Sequence, residues 1–285
     1  MRWRVLIVIS PLLLAAQGPA AGVLVSVAGS VQVACPGNRT VPARVFDWLK
    51  PGCSLQAEKD ARAVVVLQNG ARYEIAERSR GTLEKDMFRV VAGNVHRLSS
   101  LPEIPKLAAI KDGQSSTRSG AVRIRGPKLT HCYPPANASV VARDSIFSFQ
   151  PATQVTSYVI EIENSAGVVI HRVETPGPSV TVPRGILEPG ATYYWEVQGL
   201  VSDATPPQCG AEFSVLTIED EKRRAALKDA VEHSGDADSL ALLAEVDLRM
   251  GLLREARNEF AAALGQSSTP AAIRSALVEI DALMR

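Results

Sequence analysis

The chain has 285 residues and a mass of 30.5 kDa, room for two or three domains at about 100–200 residues each. Hydrophobic residues make up 46% and charged residues 21%, which excludes a disordered chain. A formal net charge of +1 excludes a chain that seeks polyanions as a whole, and an aromatic content of 5% argues against a broad stacking surface for bases or sugars.

The chain starts with Arg2 and Arg4, followed by an apolar run over residues 5–16 that contains Pro11 and then by Gly18, Ala20, Ala21 and Gly22. A bilayer-spanning helix needs about twenty apolar residues, so this order reads as a signal peptide over residues 1–21, cut near Ala20 or Ala21. No cysteine directly follows the run, so no lipid-attachment signal is expected. Losing Arg2 and Arg4 from the 31 basic residues leaves 29 against 30 acidic ones, a mature charge near −1. A periplasmic or secreted location is expected.

Cys35, Cys53, Cys132 and Cys209 all survive that cleavage. An even number in an exported chain reads as two disulfides. The favoured pairing is Cys35–Cys53 and Cys132–Cys209, because each pair stays inside one candidate domain. A zinc site is disfavoured because no Cys-x-x-Cys spacing is present.

Residues 23–98 have β character. Val23, Val25, Val27, Val31 and Val33 alternate and are expected to share one face. The run over residues 61–67 stops at Asn69-Gly70, a tight-turn dipeptide, and resumes through Tyr73 and Ile75, which predicts a hairpin. Residues 87–98 supply one or two further strands around Gly93-Asn94. The series Val27, Gly29, Val31, Leu49, Gly52, Leu55, Ala61, Ala63, Val65, Leu67, Asn69 and Gly70 resembles the exported FecR-type β-domain. Two positions depart from that pattern: Asn69 replaces the usual aspartate and Cys53 replaces an acidic residue. The resemblance implies a compact β-domain exposed in the envelope or outside it, without the family's transmembrane signalling role.

Residues 99–127 form a linker rich in proline, glycine and serine, with a short strand expected at Ala121–Ile124. Over 97–128, Arg97, Lys106, Lys111, Arg118, Arg123, Arg125 and Lys128 face only Glu103 and Asp112. A solvated linker is the simpler reading. The sharper one is a patch for an anionic wall polymer or membrane surface. The stretch has no aromatic residue, which disfavours nucleic acid.

Residues 128–217 show short strands with turn signals every ten or so residues, the pattern of a β-sandwich. The segment Leu187 to Val197 resembles the fibronectin type III signature, with Ala191 in place of a threonine. The resemblance implies that Tyr193 is the tyrosine-corner residue. By strand alternation Tyr193, Trp195 and Val197 point inward and Tyr194 outward. Phe149 stands where such domains usually carry an early-strand tryptophan.

From residue 218 the period changes to 3.6. A charged helix through Ala225, Leu227 and Val231 ends near Gly235, and Asp236 or Asp238 is positioned to cap the next. Leu243, Ala244, Gly251, Ala256, Phe260, Ala263 and Leu264 resemble a tetratricopeptide repeat, with Leu240 and Asp247 at the usual tryptophan and tyrosine positions. In that pattern Ala256 lets two helices approach, Gly251 makes the turn and Phe260 fills the space between them. A last helix over 270–284 presents Ile273, Leu277, Ile280 and Leu283 or Met284. One repeat cannot build a solenoid, so the region is expected to form a four-helix cluster. That cluster either packs on the sandwich or offers a groove to a partner.

The fold class expected is therefore multidomain and mainly β, with an all-α C-terminal unit. His96, His131, His171 and His233 stand apart in sequence, and no nucleophile elbow, His-Glu-x-x-His pattern or phosphate-cradling glycine loop occurs. No catalytic residue, metal ligand or cofactor is nominated. The expected function is a non-catalytic exported cell-envelope protein that binds or scaffolds an envelope protein through residues 218–285. The alternative is a cell-wall or carbohydrate-binding accessory module, and an envelope hydrolase is the outsider.

Overall fold

The computed structural model describes residues 20–105, 127–143, 145–202, 205–267 and 269–284. The leader, most of the basic linker and the strand expected at Ala121–Ile124 lie outside the described residues.

The first unit contains β1 (Gly22–Ala28), β2 (Val31–Ala34), β3 (Val41–Pro42), β4 (Trp48–Leu49), β5 (Ser54–Ala57), β6 (Arg62–Leu67), β7 (Arg72–Ile75), β8 (Ser79–Leu83), β9 (Phe88–Ala92) and β10 (Val95–Leu98). They make two five-stranded sheets, ordered β10-β7-β6-β1-β4 and β3-β2-β5-β8-β9. Leu24, Val31, Val33, Leu55, Val65, Leu67 and Ile75 fill the space between them. The Asn69-Gly70 turn closes the β6–β7 hairpin, with Gly70 N–H donating to the Leu67 carbonyl at 2.9 Å. Gly70 has φ +81°, and a Cβ there would fall 1.9 Å from the Leu101 carbonyl oxygen, because the 101–105 segment crosses directly over the turn.

One expectation fails in this unit. Val23, Val25, Val27, Val31 and Val33 do not share one face. The β1–β6 register shifts between Leu24 and Ser26, so Leu24 and Val27 face the interior while Val23 and Val25 face the other side. That side is also buried, because helices pack on it. This explains the unbroken apolar run in β6: Ala63, Val65 and Leu67 face inward, and Val64 and Val66 face the helices. The residue 87–98 stretch supplies two strands around Gly93-Asn94, and they join different sheets: β9 pairs with β8 and β10 with β7. Gly93-Asn94 carries the chain from one sheet to the other.

The second unit contains β11 (Thr130–Tyr133), β12 (Ala138–Val140), β13 (Ile146–Gln150), β14 (Tyr158–Asn164), β15 (Val169–Thr175), β16 (Ser179–Thr181), β17 (Thr192–Gly199) and β18 (Gln208–Val215). A three-stranded sheet, β11-β13-β16, faces a five-stranded one, β12-β18-β17-β14-β15, in a fibronectin type III-like sandwich. Tyr193, Trp195 and Val197 point into the core. Trp195 packs edge-on against Phe147 at 5.2 Å, and its Nε1–H donates to the Pro134 carbonyl at 2.8 Å. Phe149 is buried against Tyr158, but the ring at the centre of the core is Phe147, two residues earlier.

The Tyr193 hydroxyl accepts from the Glu188 N–H at 2.9 Å, which makes it a tyrosine corner. Removing that oxygen leaves a half-buried N–H without its acceptor. Tyr193→Phe is expected to cost about 1–2 kcal/mol in urea unfolding, with the fold retained by circular dichroism.

Four helices follow: α1 (Ile218–Ser234), α2 (Ala237–Arg249), α3 (Leu253–Ala263) and α4 (Pro270–Leu283). Thr217 caps α1 by accepting from the Asp220 N–H, and Asp236 caps α2 by accepting from the Asp238 N–H. Ile273, Ala276 and Ile280 bury α4, with Leu277 and Met284 packed beside them, whereas Leu283 points outward at 51% exposure. The chain is thus multidomain and mainly β, with an all-α C-terminal unit.

Candidate interaction surfaces

Both predicted disulfides are present, Cys35–Cys53 and Cys132–Cys209, and no described cysteine is free. The first ties β2 to the start of β5 and the second ties β11 to β18. They are structural bonds within the two β units.

The helical unit buries its inner surface against both β units. Its α1 and α2 present Leu227, Val231, Leu242, Leu243 and Val246 to Val23, Val25, Val66, Leu101 and Ile104 of the first unit. Its α2, α3 and α4 meet Tyr133 and Ala138 of the sandwich. The expectation of packing on the sandwich is therefore incomplete. The larger apolar contact is with the outer face of β1 and β6, and the helices join both β units. Helix α2 is buried nearly all round, from Ser239 to Asp247.

Polar contacts fix this arrangement. Trp48 Nε1–H donates to Glu245 Oε1 at 3.0 Å, and Arg249 Nε–H donates to the same oxygen at 2.8 Å. Burial pushes the Glu245 carboxyl up, against the hydrogen bonds from Trp48 and Arg249. Arg72 in β7 donates to Asp236 at 3.2 Å. Burial raises the Asp236 carboxyl, but the hydrogen bonds from Ser239 and the Asp238 N–H, with the Arg72 charge, outweigh it and hold the group below its usual value. On the sandwich side the Arg254 guanidinium lies 3.7 Å from the centre of the Tyr133 ring, and its Nη2–H donates to Ser148 Oγ at 2.8 Å.

A second network lies inside the helical unit. Arg224 of α1 grips Asp247 of α2 with both ends of its fork, Nε–H to Oδ1 at 2.7 Å, and reaches Glu259 of α3 at 3.4 Å. Burial first, then the charge of and hydrogen bond to Asp247, push the Glu259 carboxyl up to about 9, with Arg224 and Lys228 opposing. Glu259 Oε2 is buried without a donor. Burial and the neighbouring Asp247 thus favour the protonated form of Glu259.

The residues singled out by the repeat pattern serve this internal packing. Ala256 and Phe260 are fully buried, and Phe260 meets Phe46 of the first unit edge-on at 5.6 Å. Gly251 turns the chain between α2 and α3 at φ +79° and also touches the sandwich: its carbonyl accepts from the Ser139 N–H at 2.8 Å, and a Cβ would sit 3.0 Å from Ser139 Oγ. Trp48, Phe46, Arg224, Glu245 and Glu259 were not legible as a set. The available signal was Glu245 and Asp247 inside the most apolar stretch of α2, where a buried carboxylate demands a partner.

Three features face outward. Val278 on α4 is 71% exposed. Edge strand β9 leaves Val90 and Val91 uncovered. On the outer face of the five-stranded sheet, Tyr194 lies half-buried across Gly210, paired in register with Glu163 and Glu212, and Glu161 stands opposite Glu196. Burial, then Glu196 and Glu163, raise the Tyr194 hydroxyl, and burial, then Glu161 and Glu163, raise Glu196. Of the histidines, His131 contacts Gln150, and His233 contacts Asp229 in its own helix. Among the described residues no group of three or more His, Cys, Asp or Glu is placed to hold a metal, and no helix is long and apolar enough to cross a membrane.

No family model matches the chain, and no curated protein sequence matches it. Among solved structures, the chain is similar to CopC from Methylosinus trichosporium OB3b, at 23% identity over 32% of this chain and 94% of that one, with a TM-score of 0.25. It is similar to the chicken CNTN1 FN1–FN3 domains at 10% identity, over 70% of this chain and 62% of that one, with a TM-score of 0.25. It is also similar to the BSP domain of a biofilm associated protein at 12% identity, over 71% of this chain and 26% of that one, with a TM-score of 0.22. TM-scores this low carry no functional argument, and the sandwich assignment stands on strand order and the tyrosine corner.

Proposed function

We propose that the chain is a non-catalytic exported cell-envelope protein that acts as a scaffold, holding two β units at a set spacing and presenting them, with the outer face of α4, to a protein partner. The carrying observation is the three-way junction. A helical unit whose inner surface is spent on both β units, through apolar packing and through the Trp48–Glu245 and Arg254–Tyr133 contacts, is built to fix geometry. Two disulfides support delivery to an oxidising compartment. The short apolar leader over 5–16, and the resemblances to a FecR-type β-domain and a tetratricopeptide repeat, agree with an envelope setting.

A mass measurement on protein from its native cells, with and without reductant, tests export. The expected result is a chain lacking residues 1–21 that gains one hydrogen per cysteine on reduction. Intact Met1 with four thiols refutes it. Capture from envelope extract by the full chain is then compared with capture by Val278→Asp, whose side chain is 71% exposed and whose replacement leaves the core untouched. Loss of capture in the variant is the expected result. Equal capture, together with retention on purified wall polymer, favours the wall-binding alternative through the basic stretch.

A further inference from the structure

We propose that residues 46–48 are an internal ligand of the helical unit, an exchangeable plug that a partner segment carrying two aromatic side chains two residues apart displaces from α2 and α3. This goes beyond the scaffold reading, which places the partner on the outer face of α4, and does not depend on it.

The plug is a short piece of the first unit that reaches the helices with two rings. Phe46 packs against the cluster that holds Ala241, Ala244, Ala256 and Phe260, with its ring edge-on to Phe260 at 5.6 Å. Trp48 packs against the cluster around Leu242, Leu243 and Val246. Its Nε1–H donates to Glu245 Oε1 at 3.0 Å, and the Arg249 guanidinium lies 5.9 Å from its ring centre.

Backbone strain and burial set this contact apart from the rest of the junction. Phe46 has φ +70°, a left-handed conformation that a bulky L residue rarely adopts. Its surroundings impose it: Phe46 N–H donates to the Leu24 carbonyl at 2.7 Å, Leu24 N–H donates to the Asp47 carbonyl at 3.1 Å, and the Asp47 carboxylate accepts from the Arg44 N–H at 2.8 Å. Strain of this kind persists only where neighbouring contacts over-determine it. A segment from another protein brings the same rings on an unstrained backbone. Leu227, Leu242 and Leu243 are fully buried where α1 and α2 meet the first unit, whereas Phe46 and Trp48 are half-buried. The fully buried sector therefore holds the junction while the strained sector exchanges.

Glu245 sets the chemistry of the second ring. It is buried, and it loses one of its two donors when Trp48 leaves. A buried acceptor that loses its donor is unfavourable. The entering side chain must therefore return an N–H, which an indole does and a phenyl ring does not.

The test is an anisotropy titration of a labelled peptide with the sequence of residues 43–50 into the full chain and into Phe46→Gly, which removes the ring and takes up the loop's φ without strain. The thermal midpoint of the variant checks that its fold is retained. Saturable binding to the variant is expected, at least about tenfold tighter than to the parent chain, and weakened at least about fivefold when the peptide carries Trp48→Phe. In the parent chain with peptide in excess, the Phe46 amide is expected to lose its protection from hydrogen exchange while the amides of β6 keep theirs. No saturable binding to the variant, equal affinity for the two chains, equal affinity of the Trp48→Phe peptide, or an unchanged Phe46 amide overturns the proposal.

Discussion

Asp247→Ala is expected to lower the stability of the helical unit by about 3–5 kcal/mol, read as a fall in the urea midpoint monitored by circular dichroism at the helical band. The Asp247 side chain has no exposure, and it is the carboxylate that Arg224 grips with both nitrogens. Removing it strands a guanidinium that is itself nearly buried, with Glu259 at 3.4 Å as a remaining partner of poor geometry. An uncompensated buried charge costs more than the pair contributes. Because Arg224 belongs to α1 and Asp247 to α2, the loss also loosens the contact between these two helices.

The neighbouring carboxyl predicts the opposite sign. Glu259 is held above its unfolded value of 4.5, up to about 9, first by burial and then by Asp247. Below pH 4.5 both states keep the proton and the group costs nothing. As pH rises from there toward 9, the unfolded chain releases its proton while the folded chain retains it, so stability falls steadily across that window. Glu259→Gln keeps the shape and a donor toward Asp247 but cannot ionise. It is expected to be more stable than the parent by on the order of 1–3 kcal/mol at pH 8, with the difference shrinking to nothing near pH 4. Unfolding curves at three pH values check both the sign and the slope. A difference independent of pH contradicts a raised Glu259 carboxyl.

Phe260→Ala is expected to cost about 3–5 kcal/mol and to loosen the first unit from the helices. The ring is fully buried, packs with Ala241, Ala244, Ala256 and Ala263, and meets Phe46 edge-on across the junction. Small residues let α2 and α3 approach closely, so the cavity left by an alanine cannot be filled by their side chains. The readout that separates this from a simple loss of helix stability is small-angle scattering with limited proteolysis. The variant should become more extended, and cleavage should concentrate in the 43–47 loop that carries Phe46. Unchanged scattering with lowered stability limits Phe260 to the helical unit.

Local chemistry carried much of the architecture into the sequence. Asn69-Gly70 marks a hairpin because only a glycine tolerates φ +81° under the Leu101 carbonyl. Tyr193 reads as a corner through the resemblance of Leu187 to Val197, and its hydroxyl accepts from the Glu188 N–H five residues back, within the same loop. The cysteine pairs follow from keeping each bridge inside one unit. Each of these depends on residues near one another in the chain or on a rule with few solutions.

What the amino-acid order determined by itself was the set of elements: two β units, a set of helices, and the residues that fill each core. What only the tertiary structure decided was how those units meet. The alternation of β1 concealed a register shift that turns Val23 and Val25 toward helices 200 residues later. The strands β9 and β10 are adjacent in the chain but join different sheets. Asp247 is an acid at a position where the repeat pattern expects tyrosine, and it makes sense only once Arg224 arrives from α1. A period in the sequence reports that a face is buried, but it does not report what buries it. That depends on contacts distant in the chain, whose geometry no local pattern encodes.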